Sequence, residues 1–156
     1  MAHVIKPPAA LSIPASTRSV FLAGSIEMGR AAPWQVEVER ALDDFDGILL
    51  NPRRDQWDAS WEQDIGNPVF REQVEWELEA QERATLIVMY FAPETRAPIT
   101  LLELGLFARS GKLLVACPEG YWRRGNVQVV CQRHDIPLHD SLEALIAATR
   151  QRLGSQ

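Results

Sequence analysis

The sequence has few residues of the kinds that build metal centres or disulfide frameworks. Its two cysteines, Cys117 and Cys131, show no metal-ligand spacing, and we interpret both as small buried apolar side chains in a reducing cytoplasm. The three histidines, His3, His134 and His139, are scattered along the chain, and we expect them to be solvated. These absences predict a protein that binds no metal.

The sequence also lacks long apolar runs and an excess of positive charge. No window approaches the 18 apolar residues of a membrane span, and the first residues include one lysine but no apolar segment of a signal peptide. The net charge is −5 and the pI is about 5.2, which argues against a nucleic-acid polymer as the main partner. We therefore expect a cytoplasmic protein that contacts neither membranes nor nucleic-acid polymers.

Several common catalytic motifs are absent as well: a Walker lysine motif, a zinc constellation and a serine in a GxSxG elbow. The segment AGSIEMG lacks the GxGxxG spacing, which disfavours dinucleotide binding. Gly24 and Ser25 in that segment could still bind the polar edge of a ligand through backbone N–H groups and a hydroxyl. The alternative is an ordinary turn between a strand and a helix.

What is present is an alternation of strand and helix patterns. The 156 residues, 46% of them hydrophobic, suffice for one domain with a substantial core. Residues 1–18 hold three prolines and no hydrophobic period, so we predict an arm there, flexible or draped over the surface, followed by a single domain over residues 19–156. The alternation predicts a doubly wound parallel sheet of five strands with helices on both faces. The predicted strands are SVFLAG, GILLNPRR, TLIVMYF, KLLVACP and IPL.

Glu103 stands out in the helix predicted between TLIVMYF and KLLVACP. It fills a gap in an apolar stripe, near the carboxyl end of a parallel strand, where open α/β sheets bind ligands. A carboxylate in such a stripe costs several kcal/mol unless it is paired or used. The predicted inward stripe comprises Ile99, Leu102, Leu106 and Phe107.

Glu77 is a second acid that is predicted to face inward, from the preceding helix. Two inward acids suit glycosyl transfer, because one attacks the anomeric carbon while the other protonates the leaving group. We expect burial and mutual repulsion to raise and separate their pKa values. Alternatively, Glu103 could act as a cap or pair with Arg96 or Arg123, and Glu77 could lie on a solvated helix. The stripe that includes Glu77 comprises Phe70, Val74, Leu78 and Gln81.

A long polar loop, DQWDASWEQDIGN, follows the second predicted strand, and loops of that length in a compact domain are usually functional. Trp57 could stack on a nucleobase and Asp58 could hydrogen-bond it, or the loop could instead be anchored to the core by its tryptophans. Four basic residues near the predicted mouth would favour a phosphate: Arg53, Arg54, Arg123 and Arg124.

These motifs together resemble a known family. LAGSI, NPRR…WD…SW, PITLLELG, LLELGLFARSGK and GNV, over residues 19–131, are similar to the nucleoside 2-deoxyribosyltransferases, and more narrowly to their bacterial deoxyribosyltransferase-like branch. The resemblance implies a flavodoxin-like fold, with Glu103 as the nucleophile and Glu77 as the acid that contacts the nucleobase. It further implies that Asn126 reaches the site of a neighbouring subunit, in a dimer or hexamer with shared active sites.

The sequence departs from the family pattern in three places. Phe21 stands where the family often has a tyrosine that orients the nucleophile, and Ala97 stands where it has a second acid. The chain also continues through a further helix to Gln156. These departures leave open the base preference and the choice between transfer and hydrolysis.

The leading hypothesis is a transferase that moves 2-deoxyribose between free nucleobases, with 2′-deoxynucleosides as donors and with no metal or organic cofactor. The alternatives are a hydrolase of deoxynucleosides or of their 5′-monophosphates, and a non-catalytic nucleotide-binding module.

Overall fold

The chain folds into a parallel sheet covered by helices on both sides. The computed structural model describes residues 1–26, 33–55, 58 and 60–154. Within them are six strands: β1 (His3–Ile5), β2 (Ser19–Gly24), β3 (Ile48–Leu50), β4 (Leu86–Tyr90), β5 (Leu113–Ala116) and β6 (Leu138–His139). The same residues include five helices: α1 (Trp34–Ala41), α2 (Pro68–Arg83), α3 (Pro98–Phe107), α4 (Arg124–Arg133) and α5 (Leu142–Gly154).

The strand order makes this a flavodoxin-like, doubly wound sheet. All neighbouring strands are parallel, in the order β1-β3-β2-β4-β5-β6. The chain moves outward from β2 to β3, then crosses back to β4 on the other side of β2. The direction of winding therefore reverses between β2 and β4, where Gly24 pairs with Tyr90 at the carboxyl ends of both strands.

Two apolar layers hold the sheet between the helices. Helices α2, α3 and α4 pack on one face, and α1 and α5 pack on the other. Strand β4 shows the alternation: Ile87 and Met89 join the first layer, whereas Leu86 and Val88 join the second. Because both faces are covered, the inner strands are continuous apolar runs.

The sheet has six strands instead of the five predicted, and the additional strand is β1. It lies in the segment where the sequence predicted an arm, and it pairs in parallel with β3. The following residues are tied to α2, because the Trp76 indole donates to the Ala9 carbonyl and Arg83 donates to the Leu11 carbonyl, both at 2.8 Å. A three-residue strand followed by two prolines is too short to show a period, which is why the sequence pattern missed it.

The inward face predicted for α3 is wrong. Ile99, Leu102 and Leu106 are 59%, 59% and 55% exposed, whereas Glu103 is buried together with Thr100 and Leu104. In α2 the buried residues are Gln73, Trp76, Ala80 and Gln81, so Gln81 of the predicted stripe is buried, whereas Phe70, Val74 and Leu78 are only partly buried. Both helices carry apolar residues on more than one side, so periodicity cannot decide which side meets the sheet.

Among the described residues, no helix combines the length and apolar character needed to span a membrane.

Candidate active site

Glu103 lies in the interface between α3 and α2. It is 7% exposed, and its Oε2 accepts a hydrogen bond from Gln81 Nε2 at 2.6 Å. Burial raises the pKa of Glu103 to about 7, and the hydrogen bond from Gln81 partly offsets this effect by favouring the charged form. A carboxyl that titrates near neutral pH can be ionised, and hence nucleophilic, under physiological conditions.

The helix that carries Glu103 begins at a specific turn. Pro98 occupies its first position, and Ala97 before it adopts a left-handed conformation with φ 46°. The carbonyl of Arg96, the residue before, accepts hydrogen bonds from the Tyr121 hydroxyl and, at 2.9 Å, from the Trp122 indole. The loop that follows β5 therefore helps to hold the turn from which α3 begins.

Glu77 is the second acid of the site, on α2. Burial is the largest cause that raises its pKa to about 8, and the charge of Glu103 raises it further. The side chain of Gln73, one turn earlier, hydrogen-bonds the carboxyl and lowers its pKa in part. The pKa of each acid is therefore raised above that of an exposed glutamate, and because the charge of Glu103 opposes ionisation of Glu77, the pair favours one protonated and one ionised carboxyl.

Two glutamines of α2 that the sequence pattern did not single out as site residues hydrogen-bond the two acids. Gln73 donates to the Pro52 carbonyl at 2.9 Å and accepts from Arg54 Nε at 3.2 Å, so residues that follow β3 support Glu77 through it. Gln81 was expected only as a member of the inward stripe. The available sequence signal was the spacing of both glutamines at one helical turn from Glu77, whereas the contact of Gln81 with Glu103 joins two helices.

Helix α2 starts at a well-defined cap. The Asn67 side chain accepts from the Val69 N–H at 3.2 Å, and Pro68 occupies the first helical position. This cap places Gln73, Glu77 and Gln81 at four-residue intervals along one side of the helix.

Gly24 and Ser25 lie where β2 ends beside β4. The Ser25 oxygen accepts from the Ala92 N–H at 3.0 Å and lies 2.6 Å from Thr95 Oγ1, and the Ser25 N–H donates to the Tyr90 carbonyl at 3.2 Å. These bonds join the loop after β2 to the loop before α3.

The remaining predicted binding residues are Asp58, Asn126 and Trp57. Asp58 is exposed and accepts from the Ser60 N–H at 2.9 Å and from the Ser60 hydroxyl at 2.6 Å. Asn126 is exposed in the first turn of α4. Neither hydrogen-bonds Glu103 or Glu77 within the part of the chain that is described, and Trp57 lies outside it.

The basic residues have structural partners. Glu103 forms no ion pair within the described ranges, so the alternative of a pair with an arginine is not found there. Arg96 and Arg123 instead stack on the Trp122 ring, at 5.5 and 4.3 Å from its centroid. Arg124 pairs with Asp140 at 2.8 Å.

Arg54 pairs with Glu72 at 3.1 Å, and Arg53 donates to Gln35 at 3.3 Å. In the described part of the chain, no group of three histidine, cysteine, aspartate or glutamate side chains could hold a metal ion.

A comparison with family models identifies the family of the chain. Residues 17–121 match the family described as nucleoside 2-deoxyribosyltransferase like. The chain belongs to this family. The match covers two thirds of the chain, including Glu77, Glu103 and the loop between β3 and α2, and it ends before α4. No curated protein matches the chain.

Membership supports nucleoside 2-deoxyribosyltransferase-like function, with nucleosides and nucleobases as the expected ligands. The family resemblance assigns two acids to catalysis. They lie on neighbouring helices, Glu77 on α2 and Glu103 on α3. Two of the three departures noted above, Phe21 and Ala97, are buried side chains of the same apolar layer.

Proposed function

We propose that this protein transfers 2-deoxyribose between nucleobases, with retention of configuration, through a covalent intermediate on Glu103. The observation that carries the proposal is the placement of two acids on adjacent helices: Glu103 is buried against the Gln81 amide of α2, and Glu77 on α2 is close enough for the charge of Glu103 to raise its pKa. One deprotonated and one protonated carboxyl at the same pH are what a double displacement at an anomeric carbon requires.

In the first step, the ionised Glu103 attacks C1′ of the donor nucleoside. A C–O bond to the carboxylate forms while the N-glycosidic bond breaks, and the departing base takes the proton of Glu77. In the second step, the nitrogen of an incoming base attacks C1′, the ester bond breaks, and Glu77 accepts the proton that this base loses. Two inversions restore the original configuration, and neither step needs a metal or an organic cofactor.

A 2′-deoxy sugar suits this chemistry, because an oxocarbenium-like centre forms more easily without the electron-withdrawing 2′-hydroxyl. The burial of Glu103 favours transfer over hydrolysis, since an ester at that position is shielded from water until a base enters.

A second candidate is hydrolysis of deoxynucleoside 5′-monophosphates. The observation that favours it is the pair of guanidinium groups, from Arg96 and Arg123, that contact the ring of the half-exposed Trp122 beside the start of α3. Guanidinium groups bind phosphate well, so this cluster would favour an anionic substrate.

We also propose that the protein forms a homo-oligomer, a dimer or a hexamer, in which Asn126 reaches the site of a neighbouring subunit. The exposed apolar residues of α3 support this assembly, because the helix that carries Glu103 presents Ile99, Leu102 and Leu106 to solvent in a single chain.

The deciding experiment is incubation with 2′-deoxyinosine and free adenine, with products followed by chromatography, and a parallel incubation with the donor alone. Formation of 2′-deoxyadenosine would support transfer. Free 2-deoxyribose without exchange, from deoxynucleosides or from 5′-monophosphates, would favour the hydrolase. If neither product forms across purine and pyrimidine donors, the protein is a non-catalytic binding module.

The nucleophile is tested by mass spectrometry. With donor alone, the wild type is expected to gain the mass of one deoxyribosyl group, and Glu103→Gln is expected to gain none and to lose base exchange while it keeps its fold. Glu75→Gln is the matched control, because Glu75 is an exposed glutamate of α2 that pairs with Arg71. Labelling of Glu103→Gln would contradict the assignment.

A further inference from the structure

Gln81 is the polar side chain that links the two acid-bearing helices. It is completely buried in the last turn of α2. Its Nε2 donates to Glu103 Oε2 at 2.6 Å and to the Glu77 main-chain carbonyl at 3.1 Å. These two bonds use both N–H groups of the amide, so its orientation is set by α2 and α3 together.

The main chain of Gln81 is held in place as well. The Lys112 ammonium group, just before β5, donates to the carbonyls of Gln81 at 3.2 Å and of Glu82 at 2.6 Å. A cation at the carboxyl end of a helix satisfies carbonyls that have no partner within the helix. The last turn of α2 is therefore a rigid base for the Gln81 side chain.

The carbonyl oxygen of that same side chain has no partner. Gln81 Oε1 is buried, and no donor of the described residues reaches it. A buried acceptor without a hydrogen bond typically lowers the free energy of unfolding by about 1–3 kcal/mol, so such an atom calls for a functional explanation. A hydroxyl donor on a bound ligand would satisfy it.

We propose that Gln81 is a positioning residue that aligns the Glu103 carboxylate and binds the 3′-hydroxyl of the deoxyribose through Oε1. The inference rests on the proposed function. In a β-nucleoside the base occupies one face of the sugar, so Glu103 must attack C1′ from the opposite face. The 3′-hydroxyl points to that opposite face, whereas the 5′-carbon lies on the face of the base. An acceptor on the amide that holds the nucleophile therefore meets the 3′-hydroxyl.

Among the described residues, the polar side chains shown to interact with Glu103 are Gln81 and Glu77 of α2. From α2, the titratable group that faces it is Glu77, and Lys112 contacts only the main chain of Gln81 and Glu82. The strands β2, β4 and β5 present Phe21, Met89 and Val115 to this layer, and none of these forms a hydrogen bond through its side chain. Gln81 is thus the donor that stabilises the charged form of Glu103.

The test compares a 2′-deoxynucleoside with its 2′,3′-dideoxy analogue in base exchange, for the wild type and for Gln81→Met. The wild type is expected to favour the 3′-hydroxyl substrate about 10- to 100-fold in kcat/KM. Gln81→Met is expected to lose a similar factor on the deoxynucleoside, mainly in kcat, and to discriminate less than about 3-fold. The acidic limb of the pH–rate profile of this variant should move to higher pH, because the charged form of Glu103 loses a hydrogen-bond donor.

Gln35→Met is the matched control. Gln35 is also completely buried and also has a side-chain atom without a partner, but it lies on α1 across the sheet. Gln35→Met should lower the free energy of unfolding by a similar amount. It should leave unchanged both the preference for the 3′-hydroxyl substrate and the acidic limb of the pH–rate profile.

Two results would overturn the inference without contradicting the proposed transferase activity. One is a wild type that uses the dideoxy analogue as well as the deoxynucleoside. The other is a Gln81→Met variant whose kcat/KM ratio for the two substrates and whose pH–rate profile equal those of the wild type. The wild-type comparison needs no variant, so it decides even if Gln81→Met does not fold. A wild type without turnover on any donor overturns the proposed function, and the inference with it.

Discussion

Gly24 illustrates how one residue determines the packing beside the site. A Cβ built at this position would lie 2.4 Å from Trp34 Cζ2 and 2.5 Å from the Tyr90 carbonyl oxygen. The Trp34 indole also donates to the Ser25 carbonyl at 3.1 Å, and its ring contacts that of Tyr90 at 5.4 Å between centroids. The absence of a side chain at Gly24 therefore allows Trp34 of α1 and the Tyr90 backbone of β4 to pack against the end of β2.

We expect Gly24→Ala to lower the free energy of unfolding by about 1–3 kcal/mol, because the new methyl group clashes with an aromatic ring and with a backbone carbonyl. Gly105→Ala is the control. No atom lies within 4 Å of a Cβ at position 105 in α3, so this change should stabilise the protein by about 0.5–1 kcal/mol. Denaturant titrations of both variants measure the difference, and equal effects would contradict the packing argument.

The pairing of α2 and α3 brings two acids into an environment that neither helix has alone. The sequence predicted correctly that Glu103 faces inward. However, the prediction grouped Glu103 with Ile99 and Leu102, which the structure exposes to solvent. The carboxyl is buried because the side of α3 with Thr100 and Leu104 meets the protein, and because α2 supplies the Gln81 amide. This amide comes from a residue 22 positions away along the chain, so local periodicity could not predict the contact.

This pairing makes stability depend on pH. Both acids have folded-state pKa values above the usual 4.5, so between about pH 4.5 and pH 8 the folded state retains protons that the unfolded state has lost. Their contribution is fully present below pH 4.5, and the free energy of unfolding is expected to fall as the pH rises to about 8. Each carboxyl can contribute at most about 1.4 kcal/mol per pH unit.

We expect Glu77→Gln to flatten this slope and to be more stable than the wild type at pH 8, by on the order of 2 kcal/mol. Urea unfolding at pH 5 and at pH 8 measures the change. Glu75→Gln, on the exposed side of the same helix, should keep the wild-type slope. A wild type that becomes more stable across this range would show that the acids are not buried as described.

The whole molecule presents an unusual surface at α3. Ile99, Leu102 and Leu106 lie at positions i, i+3 and i+7 of one helix, and each is more than half exposed. A periodic apolar stripe on the helix that carries the proposed nucleophile fits the proposed oligomer, in which a second chain would cover it.

We expect Leu102→Glu to weaken self-association, since it places a charge at the centre of this stripe. Light scattering coupled to size-exclusion chromatography should give a lower mass for the variant than for the wild type. Ile65→Glu is the control, because Ile65 is also exposed but lies in the loop before α2. A wild type that elutes as a monomer at high concentration would contradict the proposed assembly.

Much of this protein follows from the sequence alone, because apolar runs and their alternation are local properties. They predicted the parallel sheet wound on both faces and five of its six strands, and the motifs around Glu103 indicated the family. The sequence also singled out Glu103 as an acid among apolar neighbours, although the stripe to which it was assigned is exposed.

Only the tertiary structure decided which side of each helix faces the sheet, how β1 extends the sheet and which amide meets the carboxylate. Helices with apolar residues on several sides can pack in more than one orientation, and the sheet selects one of them by the fit of many side chains at once. The pKa values of Glu103 and Glu77 likewise depend on burial and on neighbours from another helix, and both exist only in the folded chain.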